Sequence, residues 1–140
     1  MKIISFNGHS LMQFDKFRRI IQTLRQHKPD IILLQEIAPP AAHPNLPLMQ
    51  SLWHTIWQGD IYLSPLIAIL ISPQYKSKLI GISTDNRVMD VSLDHPKHLT
   101  FSIRNIYAPA HESQHCSFWA SIPPLPPNTM IIGGDFNCIL

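Results

Sequence analysis

"PDIILLQE", residues 29–36, is the stretch on which the fold turns. Pro29 closes whatever comes before it, and a run of four aliphatic residues, Ile31 to Leu34, then stops abruptly at Gln35-Glu36. The run lacks the polar alternation of a strand with one wet face. It therefore reads as a strand buried on both sides, in a sheet covered by helices or by a second sheet.

On its N-terminal side, "KIISF" (2–6) is a second β-branched strand that ends at Asn7-Gly8. Between the two, "DKFRRIIQTLRQHK" (15–28) changes period, with Phe17, Ile20, Ile21 and Leu24 at helical spacing. Asp15 can cap that helix and Pro29 marks its stop. Arg18, Arg19 and Arg25 lie largely off the apolar stripe and read as a solvated face. On the C-terminal side, 38–47 is a proline-rich loop too short for a domain linker, and 48–57 reads as a short helix followed by a strand. Strands are predicted over 66–72, 78–84, 87–93 and 99–107, a short helix over 111–122, a turn at 123–128 and a last strand over 129–135. One strand–helix–strand unit followed by a meander means an α/β or α+β domain with sheet-based packing.

At 140 residues the chain fits one domain with a real core. Its 45% hydrophobic content against 14% charged argues against disorder. The same balance is apolar for a complete soluble surface, as when faces meant for later strands stay uncovered. A formal charge of +2 is too small by itself to indicate a nucleic-acid binder. The longest apolar run, "LIAILI" (66–71), is far too short to span a bilayer, and the N-terminus lacks the apolar core of a signal peptide. Cys116 and Cys138 read as unpaired thiols.

Polar groups recur where apolar strands end: Asn7, Glu36, and the pair Asp135 and Asn137. A carboxylate after "IILL", and another after "MIIGG", is costly to desolvate unless a cation or a donor meets it. Carboxylates and amides together are hard oxygen donors, suited to Mg²⁺ or Mn²⁺ rather than zinc. Acids also follow strands as turn formers and caps, so this pattern alone leaves both readings open. His111 and His115 have an i, i+4 spacing but no evident third ligand.

"KIISFNGHS", "PDIILLQE", "IRNIYAPA" and "IIGGDFN" together resemble, in order and spacing, the endonuclease/exonuclease/phosphatase superfamily. "GGDFNCIL" and "NIYAPA" look most like its non-LTR (LINE-type) retrotransposon branch. The resemblance implies a four-layer α/β sandwich of the DNase I-like kind, here C-terminally truncated, so that 1–140 is a single domain incomplete at its end. It implies Mg²⁺- or Mn²⁺-assisted phosphodiester hydrolysis with DNA as substrate, no membrane partner and no obligate protein partner. It assigns Glu36 as the principal metal ligand with Asn7 beside it. Tyr107 would contact the scissile phosphate, Asp135 would orient or deprotonate the attacking water, and Asn137 would hold phosphate or water. An intracellular setting, and a nuclear one, follow only from the analogy with retroelements.

Two departures stand out. His9-Ser10 occupy positions where many relatives have Asp or Asn followed by Gly. The later Ser-Asp-His segment of the family is missing from 1–140, and Asp94-His95 comes too early in the chain to replace it. Whether the chain is an enzyme thus stays open at this level. A phosphatase of the same superfamily and an inert fragment with weak metal or nucleic-acid binding are the alternatives.

Overall fold

A computed structural model describes residues 1–97 and 99–138. Eight strands and three α-helices follow one another along the described chain. These are β1 (Ile3–Asn7), α1 (Phe14–Arg25), β2 (Ile31–Gln35), α2 (Leu46–Trp53), β3 (Asp60–Leu63), β4 (Ile67–Ile71), β5 (Lys76–Ile82), β6 (Val88–Asp94), β7 (Phe101–Tyr107), α3 (His115–Ser121) and β8 (Thr129–Asp135). A single 3-10 turn, Glu112–Gln114, leads into α3.

The strands form two four-stranded sheets, ordered β1-β2-β4-β3 and β5-β6-β7-β8. Each sheet carries one parallel pair at one edge, β1 with β2 and β7 with β8, and antiparallel pairs elsewhere. The sheets face each other across a core built from Ile31, Leu33, Ile67, Ile69 and Ile71 on one side and Met89, Val91, Leu93 and Ile103 on the other. Alternate residues of β2 and β4, namely Ile32, Leu34, Ala68 and Leu70, point outward and are covered by α1 and α2. Two-sided burial of β2 thus has a plain cause: a helical layer above it and a second sheet below. Phe17 of α1 stacks on Trp53 of α2 at 4.0 Å and 4°, joining the two helices over the sheet. The outer face of the second sheet is covered at one end by α3, through Phe118 against Val88, Ile106 and Ala108. This is the four-layer α/β, DNase I-like architecture.

Three local expectations are corrected. Helix α1 starts at Phe14 behind Gln13, which makes no side-chain cap, and Asp15 sits in the first turn, paired at the surface with Arg18. It ends at Arg25; the chain leaves the helical path through Lys28, at φ 51°, before Pro29 is reached. Residues 54–57 form a turn bonded back to α2 rather than a strand, because Trp57 is drawn into the core under the helices and donates its indole N–H to Ile71 O at 2.9 Å. The strand lies further on, at Asp60–Leu63.

Candidate active site

Parallel pairing brings the C-terminal ends of four strands to one end of the sandwich. Asn7 lies opposite Gln35 in one sheet, and Tyr107 opposite Asp135 in the other. Two hydrogen bonds then cross the gap between the sheets. Asn7 Nδ2 donates to Asp135 Oδ2 at 2.8 Å, and the Tyr107 hydroxyl donates to Glu36 Oε1 at 3.0 Å. His9 joins the two pairs: its backbone N–H donates to Asn7 Oδ1 at 3.0 Å, and its Nδ1 lies 3.3 Å from Glu36 Oε2. Asn137 closes the ring, with its backbone N–H on Asp135 Oδ1 at 3.0 Å and its side-chain amide on Ala108 O at 2.7 Å. All five residues expected from the sequence therefore share one network, with His9 as its link.

The backbone around this network is unusual. His9, Ser10, Glu36 and Asn137 have φ of 48°, 70°, 53° and 47°, in the left-handed region that L-residues other than Asn and Asp seldom enter. Such conformations persist where surrounding structure over-determines them, and they gather at functional sites. Here the ladder of β1 and β2 continues past the strand ends. Gly8 N–H donates to Gln35 O, Ser10 N–H to Glu36 O and Leu11 N–H to Ile37 O, all within 2.8 Å. Those bonds hold Glu36 turned out of the strand line.

Tyr107 is buried, and burial is the main reason its phenol is pushed up to about 12; the bond to Glu36 and the charge of that carboxylate add to it. The phenol is a hydrogen-bond donor throughout the neutral range. Arg87 holds Tyr107 at three points. Its carbonyl accepts from the Tyr107 N–H at 2.8 Å, its Nη1 donates to Tyr107 O at 3.1 Å, and its guanidinium lies 4.9 Å from the ring centroid. Nothing in the sequence around Arg87 marks it for this role. The β6–β7 register decides it: with Val88 opposite Ile106, Arg87 falls beside Tyr107.

Beneath the site, Asn105 is fully buried and donates to Leu34 O and Ala68 O at 3.0 and 2.9 Å. Gln35 Nε2 donates in turn to Asn105 Oδ1 at 2.9 Å, and at 3.2 Å to Ser5 Oγ. These two amides tie the sheets together directly below the carboxylates. The polar pair Arg104-Asn105 within "IRNIY" was the only sequence hint of Asn105.

Asn7, Gln35, Asp135 and Asn137 line an open cleft of about 870 Å³ together with Trp119 and Phe136. Glu36 and Tyr107 do not line it; they connect to it through His9, which contacts Glu36 and donates its N–H to Asn7. Asp94-His95 lies at the opposite end of the second sheet, because β6 runs antiparallel to β7. His111 precedes the 3-10 turn while His115 opens α3, so the pair does not share a helix face; His115 Nε2 sits 2.7 Å from Pro109 O.

The donor set accommodates a hydrated divalent cation. Among the described residues no three His, Cys, Asp or Glu side chains converge as a cage. Mg²⁺ does not require one, since it keeps several waters and is commonly held by one or two carboxylates. Glu36 and the Asn7 amide oxygen, joined through His9, are the hard donors that would hold it.

A model of the endonuclease/exonuclease/phosphatase family matches residues 4–140. The chain belongs to that family. Its fold is shared with TDP2 of Caenorhabditis elegans, in two crystal structures with TM-scores of 0.56 and 0.60 and identities of 18% and 17%. These alignments cover 90% and 98% of this chain, and 43% and 62% of the TDP2 chains. An endonuclease/exonuclease/phosphatase family protein of Leptotrichia buccalis aligns with a TM-score of 0.52 at 13% identity, over 98% of this chain and 66% of its own. The chain thus spans roughly half to two thirds of the length of these structures. No curated protein matches it.

Proposed function

We propose that this chain carries the metal-and-water side of a divalent-cation-dependent phosphodiesterase acting on DNA, of the kind found in retroelement endonucleases. The observation that carries this reading is the pair of cross-sheet hydrogen bonds, Asn7 to Asp135 and Tyr107 to Glu36, at the shared end of two parallel strand pairs. Glu36 would hold the cation, with the Asn7 amide oxygen beside it. What a bound cation supplies is charge neutralisation at a phosphoryl oxygen. Asp135, kept in place by Asn7 and by the Asn137 N–H, would orient the attacking water and accept its proton. Tyr107, protonated at neutral pH and steadied by Arg87, would donate to a phosphate oxygen as charge builds there. Asn137 would fix phosphate or water on the cleft side.

The supporting test does not need turnover. Titration calorimetry with Mn²⁺ should show a single site that Glu36→Gln weakens at least tenfold and Asp135→Asn weakens less. Undiminished binding by Glu36→Gln would overturn the assignment. The hydrolytic arm of the test is nicking of supercoiled plasmid by residues 1–140 with Mn²⁺. Any nicking that is present should vanish in both Glu36→Ala and Asp135→Ala.

A further inference from the structure

Phe136 stands between Asp135 and Asn137, and its ring is 37% exposed on the wall of the cleft those two residues line. Trp119, from the middle of α3, shares that wall with ring centroids 6.0 Å apart and planes 43° from parallel. Trp119 is itself braced from behind: Phe118, buried against Val88, Ile106 and Ala108, meets it edge-on at 4.9 Å and 70°. The indole is thus half-buried, packed between Phe118 and Phe136, and still lines the cleft. Its Nε1–H has no protein acceptor among the described residues, whereas the buried Trp57 donates to Ile71 O. A braced, half-buried tryptophan with an unused donor, next to a half-open phenylalanine, is costly decoration for a wall that only water touches.

We infer that Trp119 and Phe136 form a stacking subsite for one unpaired nucleobase, adjacent to the phosphodiester held at Asp135 and Asn137. This deepens the phosphodiesterase reading and rests on it for the placement of the phosphate. The chemistry favours a base over other planar groups for two reasons. The indole face offers stacking that tolerates any base, and the free Nε1–H can reach a ring nitrogen or carbonyl at the base edge. A base inside a duplex has no free face, so the subsite selects single-stranded or locally opened DNA. Volume permits it, because the cleft of about 870 Å³ exceeds what one nucleotide fills.

The experiment compares an eight-nucleotide dT strand with an eight-unit strand of tetrahydrofuran abasic sites, equal in charge, binding to the full chain in EDTA. Fluorescence anisotropy of end-labelled strands reads the affinities. The unmodified chain should prefer the base-bearing strand by about five- to a hundredfold, the range expected for one stacked base. Trp119→Leu, which keeps apolar bulk against Phe118, should abolish the preference; Trp119→Phe should retain much of it, and Phe136→Leu should reduce it. No preference in the unmodified chain, or a preference that survives Trp119→Leu, would overturn the subsite. Tighter binding of phosphotyrosine than of dTMP would overturn the nucleobase assignment and point to an aromatic amino-acid ligand. Because these measurements are made without divalent metal, they stand apart from the Glu36 titrations. Intact base preference with Mn²⁺ binding indifferent to Glu36→Gln would sink the hydrolase reading alone.

Discussion

Tyr107 keeps its proton because burial and the neighbouring Glu36 carboxylate both penalise the phenolate. Stability must therefore depend on pH in a defined window. Below about pH 10 the phenol is protonated in folded and unfolded chains alike, so its contribution is fully present. Between about 10 and 12 the unfolded chain ionises first, and that contribution is lost as pH rises through the folded value. Urea denaturation across this range should show stability falling in the native chain and falling less steeply in Tyr107→Phe. Asn105 offers a sharper loss. Removing its amide leaves the Leu34 and Ala68 carbonyls and the Gln35 Nε2 without it in a dry interior, so Asn105→Ala should cost about 3 kcal/mol in the same assay. The positions of Glu36, Asp135 and Asn7 were legible as polar residues ending apolar strands, whereas their expected roles came from the family resemblance. Arg87, Gln35, Asn105 and Trp119 were not legible, since each acquires its meaning only from a neighbour distant in sequence.

At the scale of elements, α1 shows what local sequence reading can and cannot see. Its apolar stripe, Phe17, Ile21 and Leu24, faces the core as its period requires. Its start was misplaced because the capping position is Gln13, which offers no cap, and the nearby acid suggested otherwise. Gln13→Asp should consequently stabilise the protein by about 0.5–1 kcal/mol, read from the urea midpoint. Strand β3 escaped notice because it has only four residues and begins with an exposed aspartate; it is a strand because β4 offers it an edge. The glycines before Asp135 have an exact geometric cause of their own kind. Gly134 sits at φ 139°, where a Cβ would lie 1.9 Å from Ile106 O, and a Cβ on Gly133 would lie 2.6 Å from Leu33 Cδ1. Gly134→Ala should therefore push β8 away from β7 and displace Asp135 from Asn7. Loss of Mn²⁺ affinity together with a large drop in stability would be the signature.

For the molecule as a whole, the two sheets differ in how their sides are finished. On one side Tyr62 and Ser77 meet across the sheets at 2.7 Å, and Ser77 also donates to Asp60, so β3 and β5 are clasped together. On the other side β1 and β8 lie face to face, each an edge strand among the described residues. Met130 and Ile132 of β8 are 75% and 48% exposed on the outer face of that edge, since Ile131 and Gly133 alternate toward the other sheet. An open edge with apolar side chains is a template for unwanted pairing. Ile132→Lys should reduce light scattering on concentration of the chain, with little change in melting temperature. The sequence by itself determined a sheet-based α/β or α+β domain and the strand ends that carry its polar groups, because hydrophobic periodicity and abrupt apolar-to-polar boundaries are local properties of the chain; the four-layer sandwich followed only from the family resemblance. Only the tertiary structure decided which of those ends meet. Parallel pairing in both sheets puts Asn7 on Asp135 and Tyr107 on Glu36, and side-chain hydrogen bonds a few ångströms long depend on register and sheet packing that no local pattern encodes.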